Sequence, residues 1–217
     1  MIPGVDLIDF ITFVGVIGVA LVVFAESGLL IGFFLPGDSL LLTAGFLVHQ
    51  GVLDINIHLF VAILFVAAAL GDSVGYAFGN KVGRKLFKKK DSLLFKQENL
   101  RHAEEFYEKH GSKTIVIARF IPIVRTFAPV IAGIGKMKYR TFLTFNLIGA
   151  LLWAVGLTYI GYYAGAWLES RGIDIDHYLL LIIFAIIFIS FLPPIIHILK
   201  DKSQREAIKN YIKNRRK

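Results

Sequence analysis

Three long apolar stretches constrain the fold of this 217-residue chain more than any other feature. They lie at about residues 56–80, 141–166 and 177–199, and each supplies the roughly 20 apolar residues that an α-helix needs to cross a bilayer core. Hydrophobic residues make up 56% of the chain and charged residues 18%, whereas soluble domains have about 45–50% and about 25%. The sequence therefore predicts an all-α integral membrane protein with three membrane spans.

Two other apolar regions, at about 27–49 and 114–135, are interrupted by proline and by charged residues. Non-helical backbone at membrane depth is tolerated only where it is buried in protein or lines a cavity. Both regions are therefore predicted to be re-entrant hairpins, in which one short helix enters the membrane and a second leaves it. The residues predicted to form the turns are Pro36, Gly37, Pro122 and Pro129. A further apolar stretch at 10–25 either spans the membrane or lies at its interface, so the side of the N-terminus stays open.

Positive charge is restricted to two parts of the chain. Residues 1–80 contain no Lys or Arg and six acids, whereas residues 81–113 contain ten basic residues and the tail from Lys200 contains eight. Basic segments beside apolar spans are retained on the cytoplasmic side during insertion, where they also attract anionic lipid. The loop 81–113 and the tail are therefore predicted to be cytoplasmic. This accounts for the net charge of +8 without a nucleic-acid partner.

Charge and a weak internal repeat together predict an inverted duplication. The charge rule points the span 56–80 towards the cytoplasm and the span 141–166 away from it, so the first hairpin enters from outside and the second from the cytoplasm. A shift of 86 residues aligns Pro36 with Pro122, and it aligns two copies of a G-Y-x-x-G motif that begin at Gly75 and Gly161. Inverted repeats of broken helices are typical of transporters, whose site lies where the two hairpins meet.

Five ionisable residues lie within apolar sequence: Glu26, Asp38, Asp72, Arg119 and Arg125. An unpaired charge at the middle of a bilayer costs about 2.5–3.5 kcal/mol even on the most lenient scale. We therefore expect the acids of the first half to pair with the arginines of the second half. Such pairs either form a functional site, which is the default interpretation of charges inside a membrane, or only clamp the hairpins together.

The residue types indicate a chemistry. The planar fork of arginine grips phosphate through two hydrogen bonds, and Arg119 and Arg125 are predicted to converge on one anionic group. Carboxylates in an apolar cavity can accept and release protons near neutral pH, so Glu26 and Asp38, together with Asp72, are predicted to couple protons. Arginines for an anion and carboxylates for a proton favour a proton-linked transporter of an anionic substrate.

Other classes of function find little support. The chain has no cysteine, which excludes disulfides, thiolate metal sites and cysteine nucleophiles. Gly135-Lys136 is not a P-loop, because position 130 is Val and Met137 follows the lysine. No Ser-His-Asp set or HExxH motif is visible, so we expect no enzyme, no metal and no cofactor. An intramembrane hydrolase is conceivable, but it lacks a nucleophile that we can name.

Two signatures in the sequence are specific in spacing. They are Phe24-Ala-Glu26-Ser-Gly28 with Phe34-Leu-Pro36-Gly-Asp38 and Gly71-Asp72, and Phe106-Tyr-Glu-Lys-His110-Gly111 with Ala118-Arg119-Phe120-Ile-Pro122-Ile-Val-Arg125, Asn146, Gly149 and Trp153. Together they resemble the DedA family, also called the VTT or SNARE-associated Golgi protein family, over most of residues 10–200. The resemblance implies an inner-membrane protein with two facing re-entrant hairpins, linked to lipid translocation and to the proton-motive force. It makes Glu26, Asp38, Arg119 and Arg125 the functionally required residues.

The sequence-based hypothesis is a flippase-like or scramblase-like lipid transporter of the bacterial inner membrane. Residues 1–200 would form one membrane domain and 201–217 a basic tail. The expected partners are protons and a phosphate-bearing lipid, such as undecaprenyl phosphate or a phospholipid, and a homo-oligomer is left open. Two alternatives remain: a proton-coupled exporter of small cations or drugs, and a membrane scaffold or assembly factor that transports nothing.

Overall fold

The computed structural model describes residues 7–29, 35, 37–83 and 111–171, and within these ranges the chain is helical and contains no strand. The helices are α1 Leu7–Gly28, α2 Gly37–His49, α3 Ile57–Phe78, α4 Thr114–Ala118, α5 Pro122–Ile134, α6 Tyr139–Ala150 and α7 Gly156–Ser170. Two five-residue π-helical segments extend this set: Gly79–Gly83 continues α3, and Leu151–Val155 joins α6 to α7. The prediction of an all-α protein is confirmed for the described residues.

Two of the predicted spans are confirmed as long apolar helices. One runs over Ile57–Val82 and the other over Tyr139–Ser170, with 26 and 32 residues, and at about 1.5 Å per residue both exceed a bilayer core of about 30 Å. Their outward faces are apolar, because large hydrophobic side chains remain exposed: Leu59, Val66, Leu70, Val74, Leu147, Leu151 and Ile160. The third predicted span, 177–199, and the basic tail lie outside the described residues.

The boundary predicted at residue 27 is wrong. Residues 27 and 28 close α1, which begins at Leu7 and therefore joins the stretch 10–25 to the start of the predicted hairpin. The sequence between Gly18 and Gly28 offers no helix breaker, and the charge of Glu26 did not end the helix because Arg125 pairs with it. The only break inside α1 is at Gly15, where φ is 60°. Beyond it the straight apolar part, Val14–Gly28, is shorter than a bilayer core.

The region 114–135 consists of two helices separated by a short break, as predicted. α4 ends at Ala118, and α5 begins with Pro122 as its first residue, a position at which the missing N–H of proline costs no helical hydrogen bond. Pro129 was predicted in a turn, and this is wrong because it lies inside α5. Gly37 and Pro122 were also predicted in turns, but they are the first residues of α2 and α5; Pro36 lies outside the described residues.

The helices of the two halves pack against each other reciprocally. α2 from the first half lies along α7, and α5 from the second half lies along α3. Glycine makes both contacts close: a Cβ atom at Gly45 or Gly161 would collide with the backbone of the facing helix, as would one at Gly79 or Gly133. Gly79, the last residue of the first G-Y-x-x-G motif, and Gly161, the first of the second, thus allow close helix packing.

The reciprocal packing obeys the 86-residue shift seen in the sequence. That shift carries α2 onto α5, and it carries the motif beginning at Gly75 onto the motif beginning at Gly161. The first motif, at the end of α3, packs against α5 of the second half. The second motif, in α7, packs against α2 of the first half. A chance similarity between two segments rich in Phe and Gly would not make them pack in equivalent ways in the two halves. The reciprocal packing therefore supports a duplication.

Candidate functional site

Four of the five intramembrane ionisable residues are buried: Glu26, Asp72, Arg119 and Arg125. The fifth, Asp38, lies in the first turn of α2 and keeps 34% of its side chain exposed. The acids come from α1, α2 and α3, whereas the arginines come from the break before α5 and from its first turn. The structure therefore brings all five into the space between the two halves.

Arg125 joins both acids of the interrupted first region. Its Nη1 donates to Asp38 Oδ1 at 2.6 Å, and its Nη2 donates to Glu26 Oε1. The same Asp38 oxygen accepts a second hydrogen bond, from the indole Nε1 of Trp153, also at 2.6 Å. Two donors from different helices thus converge on one carboxylate oxygen.

This site is not saturated. Among the described residues, Arg125 Nε and Glu26 Oε2 are buried and have no hydrogen-bond partner. A buried polar atom without a partner costs about 1–3 kcal/mol. The site therefore keeps one donor, Arg125 Nε, and one acceptor, Glu26 Oε2, that could hydrogen-bond to a ligand. Glu26 is 0% exposed, which means that only Asp38 is within reach of a molecule arriving from outside.

Gly37 shapes the pocket of Glu26. A Cβ atom at this position would collide with the Glu26 carboxylate, so the glycine gives that group room against the first turn of α2. Asp38 occupies the same turn. The N-terminus of a helix carries a partial positive charge that stabilises anions. Both carboxylates therefore lie where α2 favours negative charge.

Arg119 has a different and fuller set of partners. Its Nη1 lies 2.9 Å from Asp72 Oδ2 and donates to Asn146 Oδ1 at 2.9 Å and to the Asn146 carbonyl at 3.2 Å. Its Nη2 donates to the carbonyl of Ala68 at 3.3 Å. The Asn146 amide in turn donates to the carbonyl of Ala69 at 3.0 Å. Arg119 therefore fastens the break before α5 to α3 and α6.

Trp153 connects the two arginines. The Cζ atom of Arg119 lies 5.5 Å from the centroid of its ring and that of Arg125 lies 4.9 Å away, both within the range of a cation–π interaction. The side chain is 1% exposed and belongs to the π-helical segment Leu151–Val155. Segments of this kind often occur at functional sites, and here the segment sets Trp153 between the halves.

The predicted pairing of acids from the first half with arginines from the second is confirmed. Asp72 pairs with Arg119, while Glu26 and Asp38 pair with Arg125. The two arginines share the ring of Trp153 but no carboxylate among the described residues. That they bind phosphate, and that the acids carry protons, remain predictions.

Sequence reasoning assigned no role to Asn146 or Trp153. A polar amide within the predicted span 141–166 was an available signal, because polar groups inside a membrane seek partners. The indole of Trp153 gave no such signal, since tryptophan in membrane proteins is enriched at the membrane–water interface. In the described part of the chain, no three His, Asp or Glu side chains are grouped so as to hold a metal ion.

Membrane-length apolar helices, buried ion pairs and reciprocal packing of two halves define a helical membrane protein. The sequence profile of the VTT domain matches residues 35–163. Protein DedA of Escherichia coli is 46% identical over 182 residues, which cover 84% of this chain and 81% of the relative. The chain therefore belongs to the DedA family.

Two further relatives agree with this assignment. An uncharacterized membrane protein of Mycobacterium tuberculosis is 41% identical over 180 residues, covering 82% of this chain and 76% of the relative. Inner membrane protein YghB of Escherichia coli is 38% identical over 139 residues, covering 64% and 63%. These names support an inner-membrane location for this chain. No solved structure matches it.

Proposed function

We propose that this protein is a lipid transporter that moves a phosphate-bearing lipid across the inner membrane and is linked to the proton-motive force. The headgroup would pass through a polar cleft between the two halves while the acyl or prenyl tails stay in the bilayer. Undecaprenyl phosphate and phospholipids are the substrates to test first. Protons and lipid are the partners, and the protein performs no chemical reaction.

One observation carries this proposal: the buried guanidinium of Arg125 bridges two acids of the other half while its Nε has no partner among the described residues. An arginine fork fits phosphate, and carboxylates beside it can exchange protons for the anion. Buried ion pairs contribute little to stability compared with apolar packing. A function is therefore the better explanation of why the charges are there.

In the membrane, we infer that α1 with α2, and α4 with α5, are the arms of two re-entrant hairpins that enter from opposite sides. The straight part of α1 after its break is short for a span, and α4 has five residues, so each pair of arms fits a hairpin better than two crossings. The first hairpin would open outwards and the second towards the cytoplasm. Residues 1–200 would then form a single membrane domain with a cytoplasmic tail, 201–217.

Cysteine labelling tests this topology, and the chain has no cysteine of its own to interfere. Val52→Cys and Gly172→Cys should react with an impermeant thiol reagent in intact cells. Lys90→Cys and Arg205→Cys should react only after the membrane is permeabilised. Labelling at position 90 but not at 172 in intact cells would overturn the inverted arrangement.

Reconstitution tests the transport. Purified protein in liposomes should move labelled undecaprenyl phosphate, or a labelled phospholipid, from one leaflet to the other, and an imposed pH gradient should change the rate. Arg125→Lys keeps the charge but loses the fork, and it should reduce transport. Arg171→Lys is the matched control, because Arg171 lies at the end of α7 and stacks on Trp167, away from the site.

The two alternatives give different results in the same assay. An exporter of cations or drugs would use the acids and would tolerate Arg125→Lys, while Glu26→Gln and Asp38→Asn would abolish its activity. A scaffold or assembly factor would move no lipid in any form. The unpartnered donor on Arg125 favours an anionic substrate over both alternatives.

A further inference from the structure

We propose that Asp38 occupies the place of a substrate phosphoryl oxygen, so that the phosphate displaces this carboxylate and a proton on Asp38 accompanies each anion bound. This inference deepens the proposed function and rests on it. It assigns Trp153 as a second donor to the phosphate, beside Arg125. The ligand class is a phosphate monoanion, carried by a lipid or free in solution.

The geometry at one oxygen atom is the starting point. Asp38 Oδ1 accepts from Arg125 Nη1 and from Trp153 Nε1, each at 2.6 Å. The indole N–H is a donor only, and an arginine never accepts, so any group that replaces Asp38 there must present an acceptor oxygen. A phosphoryl oxygen satisfies both donors. Arg125 Nε, which is buried without a partner among the described residues, is available for a second oxygen of the same group.

Exposure decides which of the two acids leaves. Glu26 is 0% exposed and fits tightly against Gly37, whereas the side chain of Asp38 is 34% exposed. Glu26 would therefore stay on Arg125 as a fixed counter-charge. Two hydrogen bonds hold Asp38, but its side chain is not enclosed, so it can turn away from Arg125.

Charge balance explains why a proton must accompany the anion. The groups that face Asp38 are Glu26 from α1 and Arg125 from α5, and across the Trp153 ring lies the balanced pair of Arg119 and Asp72. Glu26, Asp38 and Arg125 together carry a formal charge of −1. Binding a phosphate monoanion without a proton would raise this to −2 in a buried site. If Asp38 takes up one proton as it releases Arg125, the total remains −1, and release of the anion returns that proton.

Binding of a soluble prenyl phosphate tests the exchange. The probe is farnesyl phosphate added to the full-length protein in detergent micelles, with affinity measured by titration calorimetry from pH 5 to pH 8. Above the pH at which Asp38 loses its proton, wild-type affinity should fall by up to about tenfold per pH unit, because one proton is linked to each anion. Asp38→Asn should lose this dependence, keep only the one that comes from the second ionisation of the probe's phosphate, and bind more tightly than wild type at pH 8. The probe titrates in the same way with both proteins, so their difference reports Asp38 alone.

Trp153→Phe keeps an aromatic ring under the arginines and removes only the N–H. It should weaken binding by about tenfold at every pH, which is the effect expected for one hydrogen bond to a charged group. The matched controls are Trp167→Phe and Asp54→Asn, at exposed positions away from the site, and both should behave as wild type. Inorganic phosphate is the second probe: binding as tight as that of farnesyl phosphate would identify free phosphate as the ligand.

The outcomes separate this inference from the function on which it rests. Wild-type and Asp38→Asn proteins with the same pH profile, or Trp153→Phe with wild-type affinity, would overturn the displacement even if lipid is transported. Wild-type protein that moves no lipid in liposomes would instead overturn the transport function. A folded Asp38→Asn protein that binds no probe would also refute the exchange, because Asn mimics the protonated acid.

Discussion

Arg119 lies in the break before α5 and Arg125 lies six residues later, in the first turn of that helix, yet their surroundings differ in kind. Arg119 is held by a carboxylate, a side-chain amide and two backbone carbonyls, and it connects α3 and α6 to the break before α5. Among the described residues, the hydrogen-bond partners of the Arg125 guanidinium are carboxylates of the other half, one of them partly exposed, and its Nε has no partner.

This difference separates two roles that the sequence alone assigned to both arginines. Backbone carbonyls cannot leave when a ligand arrives, so the partners of Arg119 are fixed by the fold. A carboxylate can be protonated or can rotate away, so the partners of Arg125 are exchangeable. We therefore expect Arg119 to position the hairpin and Arg125 to contact the substrate.

The largest effect should follow removal of Arg119. Arg119→Ala leaves the Asp72 carboxylate buried without its counter-charge, which should destabilise the fold by about 3–5 kcal/mol. The free energy of unfolding in detergent, measured by denaturant titration, checks this. Adding Asp72→Asn should restore most of the stability. Wild-type stability in Arg119→Ala would mean that Arg119 is not fixed by the fold and does not differ from Arg125 in this respect.

Substitution of Arg125 should reduce lipid transport more than it reduces thermal stability. Arg125→Ala with Asp38→Asn removes the charge together with its partly exposed partner and should regain part of the stability lost in Arg125→Ala alone, because Glu26 stays buried without its counter-charge. Transport should stay low in the double variant, by about ten- to a hundredfold, because a charge-assisted hydrogen bond contributes about 1.5–3 kcal/mol. Thermal stability and liposome transport are measured on the same preparations. Recovery of both properties would make this pair a structural clamp as well, and the phosphate-binding role would have to be given up.

Each arginine site has one glycine beside it, Gly37 at the Arg125 site and Gly149 at the Arg119 site, and alanine substitutions at these glycines compare the two sites. In Gly37→Ala the new methyl group collides with the fully buried Glu26 carboxylate, and overpacking of this kind costs about 1–3 kcal/mol. In Gly149→Ala the methyl group meets Arg119 Cδ at 3.2 Å, which a shift of a few tenths of an ångström relieves. Thermal melts should therefore show a larger loss for Gly37→Ala. The reverse order would mean that the Glu26 pocket yields more easily than the Arg119 network.

The smallest effect should come from an ion pair far from both arginines. His49 Nε2 lies 2.9 Å from Glu169 Oε2, but the Glu169 side chain is 70% exposed. Exposed pairs contribute about 0–1 kcal/mol, so Glu169→Gln should leave the melting temperature and transport close to wild type. A loss as large as that of Arg119→Ala would show that the end of α7 is as tightly coupled as the centre.

The sequence predicted what depends on local composition. The two long apolar helices and the break before Pro122 follow from apolar length and from proline. The pairing of acids of the first half with arginines of the second follows from the cost of charge in an apolar region. It did not predict the course of α1, because the partner that lets a helix continue through Glu26 lies 99 residues further along the chain. Pro129 was placed in a turn for a similar reason, since nothing local shows that neighbouring helices enclose it.

The role of Trp153 depends entirely on tertiary contacts between residues that are distant in sequence. Its N–H reaches Asp38 across a separation of 115 residues, and its ring lies under two arginines that the sequence placed on a different segment. No spacing rule connects these positions. The π-helical segment that sets the indole is also a local change in winding that apolar periodicity does not reveal.

The reciprocal packing of α2 on α7 and of α5 on α3 bears on how the ribosome delivers this protein to the membrane. Asp38 and Glu26 are synthesised 87 and 99 residues before Arg125. Gly161 and Gly165 of α7, against which α2 packs, are synthesised later still. During that interval two acids enter apolar surroundings without their counter-charge, at a cost of several kcal/mol. We therefore expect the first half to reach its final fold only after the second half has been translated. A nascent chain that stalls before Arg125 should be degraded.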